Sequence, residues 1–481
     1  MDFLVFLWYS FNQTMKVLIS VELYHPLTIG SAYATYRLAN GLASRGHKVS
    51  VICSGDGLAT RRCNENNVEV FRLSSFPNPL NTKFRLSPLA HHLVGPILDE
   101  VRPDIIHTQD HFLIGSSVIE AALKRNIPIV GTNHFHPDNL IHFLNVSPNT
   151  EEKIRKAAWK HFNAVYGHLH TMTTPSEIAK KVMQANGTKK DITVVSNGID
   201  LDKYKPRTKE EVVSTAEQYG ISGRNKTVLF VGRLEKEKNI DVLIRAMQLV
   251  IQKVPAKLLI SGVGSEEENL KQLVRELGIA DFVKFLGRAP DDDLIRLYDF
   301  VDLFATASTV ELQGLVVMEA MASGLPIVSS DGMALPELVR DGDNGFIFPS
   351  GNHAAAAEKI LAILENKKLA KEMGKNSLKL ISQHDFQKTL EKYESIYRDA
   401  ITRPQKPKVN RLLFVMSKLI LDTPFVAILL LFAIGVASAT AGIYINGRHI
   451  KSAYNKVKVE ASTVSRNIIR HYRENRSSIT W

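Results

Sequence analysis

Two glutamates eight positions apart, Glu311 and Glu319, stand in the run ASTVELQGLVVMEAMASGLPI, residues Ala307 to Ile327. Their setting is the part of this sequence most suited to chemistry. A buried strand over Asp302 to Ala307 runs into a loop holding Glu311, Gln313 and Gly314 open a short helix carrying Glu319, and Gly324-Leu-Pro326 stops it. A strand–loop–helix turn of an open α/β sheet is where such folds bind ligands. Free amides at a helix start, with the helix dipole, suit an anion such as a diphosphate. The carboxylates repel phosphate but accept hydrogen bonds from hydroxyls, so the turn fits a sugar joined to a diphosphate.

A second cluster supplies the cations. Val231-Gly-Arg233-Leu-Glu-Lys-Glu-Lys238-Asn239 follows another buried strand and opens another helix. Arg233 can fork onto two phosphate oxygens and Lys238 can add a point charge. Two cations and helix amides neutralise a diphosphate without a metal ion. No DxD-like pair followed by a metal-ligand histidine stands out to bring one. Gly131-Thr-Asn133-His134-Phe-His136-Pro137 ends an apolar strand, and its histidines, His134 ahead of His136, can bond a sugar or stabilise developing charge. His107 and His111 are weaker candidates on the same grounds. Gly30, at the first strand–helix turn, allows close approach of a phosphate or sugar to the backbone. There is no GxSxG elbow and no Walker lysine motif, so hydrolase and kinase chemistries find no support.

The elements that must position these residues alternate in type. Apolar runs at Lys16 to Val21, Val49 to Cys53, Val68 to Leu73, Ile105 to His107, Ile127 to Gly131, Met172 to Thr174 and Ile192 to Val195 are mostly separated by helical stretches. A second series runs through Val228 to Val231, Leu258 to Ser261, Val283 to Leu286, Leu303 to Ala305, Ile327 to Ser329 and Phe346 to Phe348. This alternation predicts two doubly wound parallel sheets facing a cleft. The polar stretch Lys203 to Asn225 reads as a connector between them, and Phe386 to Ala400 as a final helix.

The 481 residues exceed what one core organises, and the two cysteines, Cys53 and Cys63, fit a reducing compartment. The net charge of +11 collects past residue 400, pointing to an anionic membrane surface at least as much as to nucleic acid, and no nucleic-acid-binding motif is present. Residues 403–424 read as a basic, amphipathic interface segment. Phe425 to Ile445 is 21 residues without a charge. As a helix it would extend about 32 Å, enough to cross a hydrocarbon core of about 30 Å. The tail 446–481 carries eight Lys or Arg against two Glu, so orientation is contested between a single span and a hairpin bent at Asp422-Thr-Pro424. We expect the single span, a C-terminal transmembrane helix over 425–445 that anchors the chain with the catalytic lobes cytoplasmic. Met1 to Ser10 lacks a basic n-region, leaving Met1 or Met15 as the start.

With these residues in view, the chain resembles a retaining glycosyltransferase of family 4, with the two-Rossmann-domain GT-B architecture. The E-x7-E motif, Glu311 to Glu319, carries most of the likeness. It implies an N-terminal acceptor domain over 15–200 after an extension at 1–14, a nucleotide-sugar domain over 201–385, and a helix over 386–402 crossing back. It implies that Glu319 binds ribose hydroxyls, that Glu311 faces the transferred sugar, and that Arg233 and Lys238 grip the diphosphate. Gly314, Leu315 and Val316 would present amides, Gly287 and Arg288 would meet the base, and His134 would lie near the sugar's primary hydroxyl. Gly30 matches the amino-terminal loop beside the phosphate, although that loop often has adjacent glycines where this chain reads Ile29-Gly30-Ser31.

The runs QGLVVMEAMA and GTNHFHP look most like those of lipid-directed members such as diacylglycerol glucosyltransferases and phosphatidylinositol mannosyltransferases. The resemblance therefore implies transfer of a hexose from UDP- or GDP-hexose to a membrane lipid, with no metal cofactor. The rivals are transfer to a soluble or polysaccharide acceptor, sugar-nucleotide epimerisation, and a membrane-tethered binder without turnover.

Overall fold

The computed structural model of the chain describes residues 14–26, 30–78, 81–141, 147–221 and 225–402. The expected interface segment 403–424, the expected span 425–445, the tail 446–481 and all of the extension but Thr14 lie outside the described residues. Among the described residues no helix is long and apolar enough to cross a membrane.

The first lobe is built on β1 (Lys16–Ser20), β2 (Lys48–Ser54), β3 (Arg61–Glu65), β4 (Val68–Leu73), β5 (Phe76–Asn78), β6 (Asn81–Leu86), β7 (Ile105–Thr108), β8 (Ile129–Thr132), β9 (Thr171–Thr174) and β10 (Ile192–Val194). Eight of these form one sheet in the order β10-β9-β8-β7-β1-β2-β4-β3, while β5 and β6 pair separately. The second lobe carries β11 (Lys226–Val231), β12 (Ala256–Ser261), β13 (Val283–Gly287), β14 (Leu303–Thr306), β15 (Ile327–Ser330) and β16 (Gly345–Phe348), ordered β13-β12-β11-β14-β15-β16.

Both sheets are covered on both faces, which is why their strands read as unbroken apolar runs. Alternate residues enter different cores: Leu18 packs with Ile52 and Phe71, whereas Val17 and Ile19 pack with Leu38 and Leu42 of the helix Gly30–Ser44. In the second lobe Val228 and Phe230 face one core, and Leu229 and Val231 the other. Each sheet reverses its winding once, between β1 and β7 and between β11 and β14. The segments that follow those four strands bring Gly30, His111, Arg233 and Glu311 to the two switch points, where open sheets take ligands.

The structure corrects three local expectations. The first sheet is not wholly parallel, because β3 runs antiparallel to β4. The polar sequence RRCNE suits an exposed edge, and Asn66 and Asn67 connect the strands with φ of 52° and 63°. The supposed connector contains a helix, Lys209–Gln218, started by a capping box between Thr208 and Glu211. The third is the hairpin of β5 with β6, which has no alternating apolar pattern to announce it.

The last helix, Phe386–Thr402, returns to the first lobe and buries Phe386, Leu390, Tyr393 and Tyr397 in the core of Val17, Ile19 and Leu42. Gly41 permits that approach, since a Cβ there would lie 2.8 Å from Phe386 and 2.9 Å from Leu390. Glu394 receives Arg45 at 2.8 Å and His47 at 3.1 Å, closing the seam. Truncating Leu390 to Ala should lower the unfolding free energy of this lobe by about 2–5 kcal/mol in urea denaturation, the range for buried leucines. A change below about 0.5 kcal/mol would mean that the helix is not part of that core.

Candidate active site

The turn Lys236–Lys238 is followed by Asn239 in the left-handed region, φ 45°, which ends it. Two strands' loops are then laced together. Asn239 Nδ2 donates to Ala307 O at 3.3 Å and to Thr309 Oγ1 at 3.2 Å, and Thr309 N donates to Glu237 O at 3.1 Å. In this frame Lys238 Nζ donates to Glu311 Oε1 at 2.5 Å and to Ser308 Oγ at 3.4 Å. Both charged side chains are largely withdrawn from water, 14% and 19% exposed, which strengthens their mutual attraction. Arg233 is anchored on the same turn, Nη2 donating to Glu237 Oε1 at 2.7 Å.

Three residues beyond Glu311 the helix Leu315–Ala322 begins at Gly314, whose φ of 82° and ψ of 61° favour glycine. Gly314 has no side chain to cap the helix, and no side-chain cap is made. Its first amides therefore carry no side-chain cap, the condition under which a helix start can bond an anion. From the other lobe, Gly30 opens the helix Gly30–Ser44, and a Cβ at Gly30 would lie 3.7 Å from Leu315 Cδ1. The two helix starts thus meet across the cleft.

Glu319 lies further along its helix, buried, with Tyr298 donating to Oε2 at 3.1 Å. Burial pushes its carboxyl above the usual range, against the opposing pull of the Tyr298 hydroxyl, Arg37 and Lys203. Arg37 comes from the first lobe, where its Nη2 donates to Gly198 O at 3.1 Å and its guanidinium sits 4.8 Å over the Phe386 ring. Beside it Tyr33 Oη and Lys203 Nζ each donate to Asp291 Oδ2 at 3.2 Å. Sequence reasoning missed Tyr33, Arg37 and Asp291, whose contacts across 88 to 258 positions leave no local pattern, and also Tyr298, 21 positions before Glu319. Gly287 ends β13 in the left-handed region at φ 65° and its carbonyl accepts from Gly262 N at 2.8 Å, with exposed Arg288 following.

His134 enters from the first lobe. Its Nε2 lies 2.8 Å from Gln109 Oε1, Gln109 Nε2 lies 3.1 Å from His107 Nε2, and His107 Nδ1 lies 2.7 Å from Tyr397 Oη. Donation from His134 Nε2–H to Gln109 leaves the Nδ1 lone pair as the ring's acceptor. Withdrawal from water pushes the His134 imidazole down to about 4 and His107 to about 3. His107, buried among Thr132, Gln109 and Tyr397, serves the crossing helix and not the cleft. His136 takes the amide of Asp138 at 3.3 Å, holding its own loop. His111 is buried in an aromatic cluster with Phe112, Phe135 and Phe162. Unforeseen too is Glu22 at the end of β1, which accepts from Ser54 Oγ at 3.1 Å, Ser87 N at 3.3 Å and Ile114 N at 3.0 Å, binding three loops of the first lobe.

Comparison with known proteins gives this arrangement its class. The family descriptions "Glycosyltransferase Family 4" and "Glycosyl transferases group 1" match residues 29–203 and 214–380. The D-inositol 3-phosphate glycosyltransferase of Corynebacterium aurimucosum is 32% identical over 63% of this chain and 73% of its own length. The alpha-monoglucosyldiacylglycerol synthase of Streptococcus pneumoniae is 28% identical, over 80% of this chain and 86% of its own. The crystal structure of Anabaena HepE in complex with UDP and glucose shares the fold, with a TM-score of 0.64 at 22% identity, covering 79% of this chain and 99% of that one. The architecture is therefore that of a GT-B glycosyltransferase. The chain belongs to glycosyltransferase family 4, and it is a transferase enzyme.

A neutral His134 has a pH consequence. With its imidazole held at about 4 instead of 6.5, the folded chain refuses a proton that the unfolded chain accepts, so stability is lost as pH falls from 6.5 through about 4. An NMR titration of the His134 ring, assigned with His134→Gln, should give a midpoint below 5. A midpoint at 6 or above would contradict the buried, neutral ring.

Proposed function

We propose that the chain transfers a hexose, with retention, from a UDP- or GDP-hexose to a hydroxyl of a membrane lipid. The observation that carries the donor half is the Lys238–Glu311 pair set against an uncapped helix start opposite Gly30. The diphosphate lies on the amides of Gly314, Leu315 and Val316, with Lys238 and Arg233 as its cations and without a bound divalent metal. The ribose hydroxyls bond Glu319, and Gly287 and Arg288 meet the base. Glu311 takes hydroxyls of the hexose, and the Nδ1 lone pair of His134 accepts from its primary hydroxyl.

As the bond between the anomeric carbon and the diphosphate oxygen lengthens, positive charge spreads over the sugar and negative charge over the leaving group. Lys238, Arg233 and the helix amides bind that growing charge more strongly than the ground state, which lowers the barrier. The acceptor oxygen bonds the anomeric carbon on the face the diphosphate leaves, and its proton passes to a phosphate oxygen. Nucleoside diphosphate and glycoside are the products. Glu311 positions the sugar and does not act as a nucleophile.

Support for a lipid acceptor comes from the name of the streptococcal relative and from the uncharged run Phe425 to Ile445 within a basic C-terminal region. A C-terminal anchor with the lobes on the cytoplasmic side would present the cleft to lipid head groups. The corynebacterial relative, named for D-inositol 3-phosphate, favours a second reading in which the acceptor is a soluble polyol phosphate.

Incubating the full chain with radiolabelled UDP-glucose or GDP-mannose and total lipid extract should move label into the organic phase, unaffected by EDTA. Label confined to water-soluble products would refute the lipid acceptor and leave the soluble one. Lys238→Ala and Glu311→Ala should each lower transfer by about 10²–10³, as for removal of one preorganised electrostatic group. Turnover within threefold of the parent would place the chemistry elsewhere.

A further inference from the structure

The helix start that offers its amides to the donor is not held by the second lobe alone. Gln313, one residue before Gly314 and 5% exposed, spends both ends of its side-chain amide on the first lobe. Nε2 donates to Ser196 Oγ at 2.7 Å, and Oε1 accepts from Asn197 N at 3.0 Å. The next residue back, Leu312, accepts at its carbonyl from Ser176 Oγ at 2.5 Å.

Ser196 and Asn197 lie where the chain leaves the first lobe, and the returning chain meets them there. His384 Nδ1 is 2.9 Å from Ser196 Oγ, Ile199 N donates to His384 O at 2.8 Å, and Phe386 N donates to Ile199 O at 2.9 Å. Both chain crossings between the lobes thus converge on one serine hydroxyl. That hydroxyl has one proton, which goes to the His384 Nδ1 lone pair, since Gln313 Nε2 and Gly198 N can only donate. Burial lowers the His384 imidazole, in keeping with a neutral ring that accepts. The assembly satisfies every partner at Ser196 in one arrangement only.

Away from the crossings the lobes touch through a different contact. Glu337 of the second lobe accepts at Oε2 from Glu177 N at 3.1 Å and at Oε1 from Ile178 N at 2.5 Å, capping the first-lobe helix Glu177–Ala185. A carboxylate at a helix start is favourable, and this one exists only when the lobes are together.

We propose that Gln313 is a positioning residue that couples the diphosphate-binding amides to the hinge between the lobes. Placing the helix start for a diphosphate fixes Gln313, Gln313 fixes Ser196 and Asn197, and the hinge is thereby held at the angle at which Glu337 caps Glu177 and Ile178. Conversely, an opened hinge pulls the Glu311–Gly314 segment out of register. Donor occupancy and closure then share a coupling free energy through one side chain. The inference rests on the reading that a diphosphate sits at Gly314.

The test uses the full chain with UDP and with GDP as probes, reading hydrogen exchange in the peptide containing Glu177 and Ile178. In the parent, the nucleotide that binds should slow exchange of those amides about tenfold, although they lie on the opposite lobe. In Gln313→Ala the same nucleotide should bind within about threefold of the parent's affinity, but the remote protection should fall below twofold. The kcat for transfer should drop more than tenfold with donor KM little changed. Ser196→Ala, which alters only the first lobe, should reproduce this, and the double variant should be no worse than either single one. Undiminished protection in either folded variant, or additive losses in the double, overturns the coupling alone. A parent chain that binds neither nucleotide overturns the site reading together with the coupling.

Discussion

Everything in the cleft depends on how the helix Leu315–Ala322 starts. Gly314 turns through the left-handed region, brings no side chain, and leaves backbone amides as the helix's contribution to a ligand. A start of that kind needs outside support, and the surrounding chain supplies it. Ala334 N donates to Glu311 O at 3.0 Å and Ser330 Oγ to Ser308 O at 2.6 Å, so the loop after β15 backs the loop after β14. Gly332 allows that contact, because a Cβ there would lie 2.1 Å from Ser308 O. Asn239 ties the other side, and Gln313 ties the front to the facing lobe.

The charges follow from this frame. A buried ion pair such as Lys238–Glu311 adds little to stability, since desolvation offsets its attraction, but it fixes where both groups point before a ligand arrives. Preorganised charge of that sort costs no rearrangement at the moment of reaction. Glu319 is governed differently. Burial holds its carboxyl above the usual range; the Tyr298 hydroxyl opposes this, and so do the cations Arg37 and Lys203, which belong to the first lobe and to the segment after β10. The Glu319 carboxylate is thus best supported when the lobes are together, which is also when Glu337 caps the helix Glu177–Ala185. His134, kept neutral by withdrawal from water, presents its Nδ1 as an acceptor without adding charge.

What could be read from the sequence divides along physical lines. The parallel strands were legible because both of their faces are buried, which leaves an apolar run as the only possible pattern. The Glu311–Glu319 turn and the Arg233–Lys238 turn were legible because each sets charged residues at short local spacing beside a glycine, where a strand passes into a helix. β3 was not, since an exposed edge strand imposes no apolar period, although Asn66-Asn67 is a hairpin signal that could have been weighed. The helix Lys209–Gln218 was hidden by its polar composition, with Thr208 and Glu211 as its one overt sign. Gln313 lay inside the motif and was taken only as a helix opener, because hydrogen bonds to Ser196 and Asn197 join residues 116 or more positions apart. Tyr33, Arg37 and Asp291 escaped for the same reason, and the membrane segments expected beyond residue 402 lie outside the described residues.

The central claim is that the Gly314 helix start and Lys238 clasp a diphosphate while Glu319 holds the ribose. A crystal structure of the chain bound to UDP or GDP tests it most directly. The account predicts the β-phosphate oxygens within hydrogen-bond distance of the Leu315 and Val316 amides and of Lys238 Nζ, with both ribose hydroxyls on Glu319. A diphosphate bound away from the start of Leu315–Ala322, or a ribose with no contact to Glu319, would contradict it.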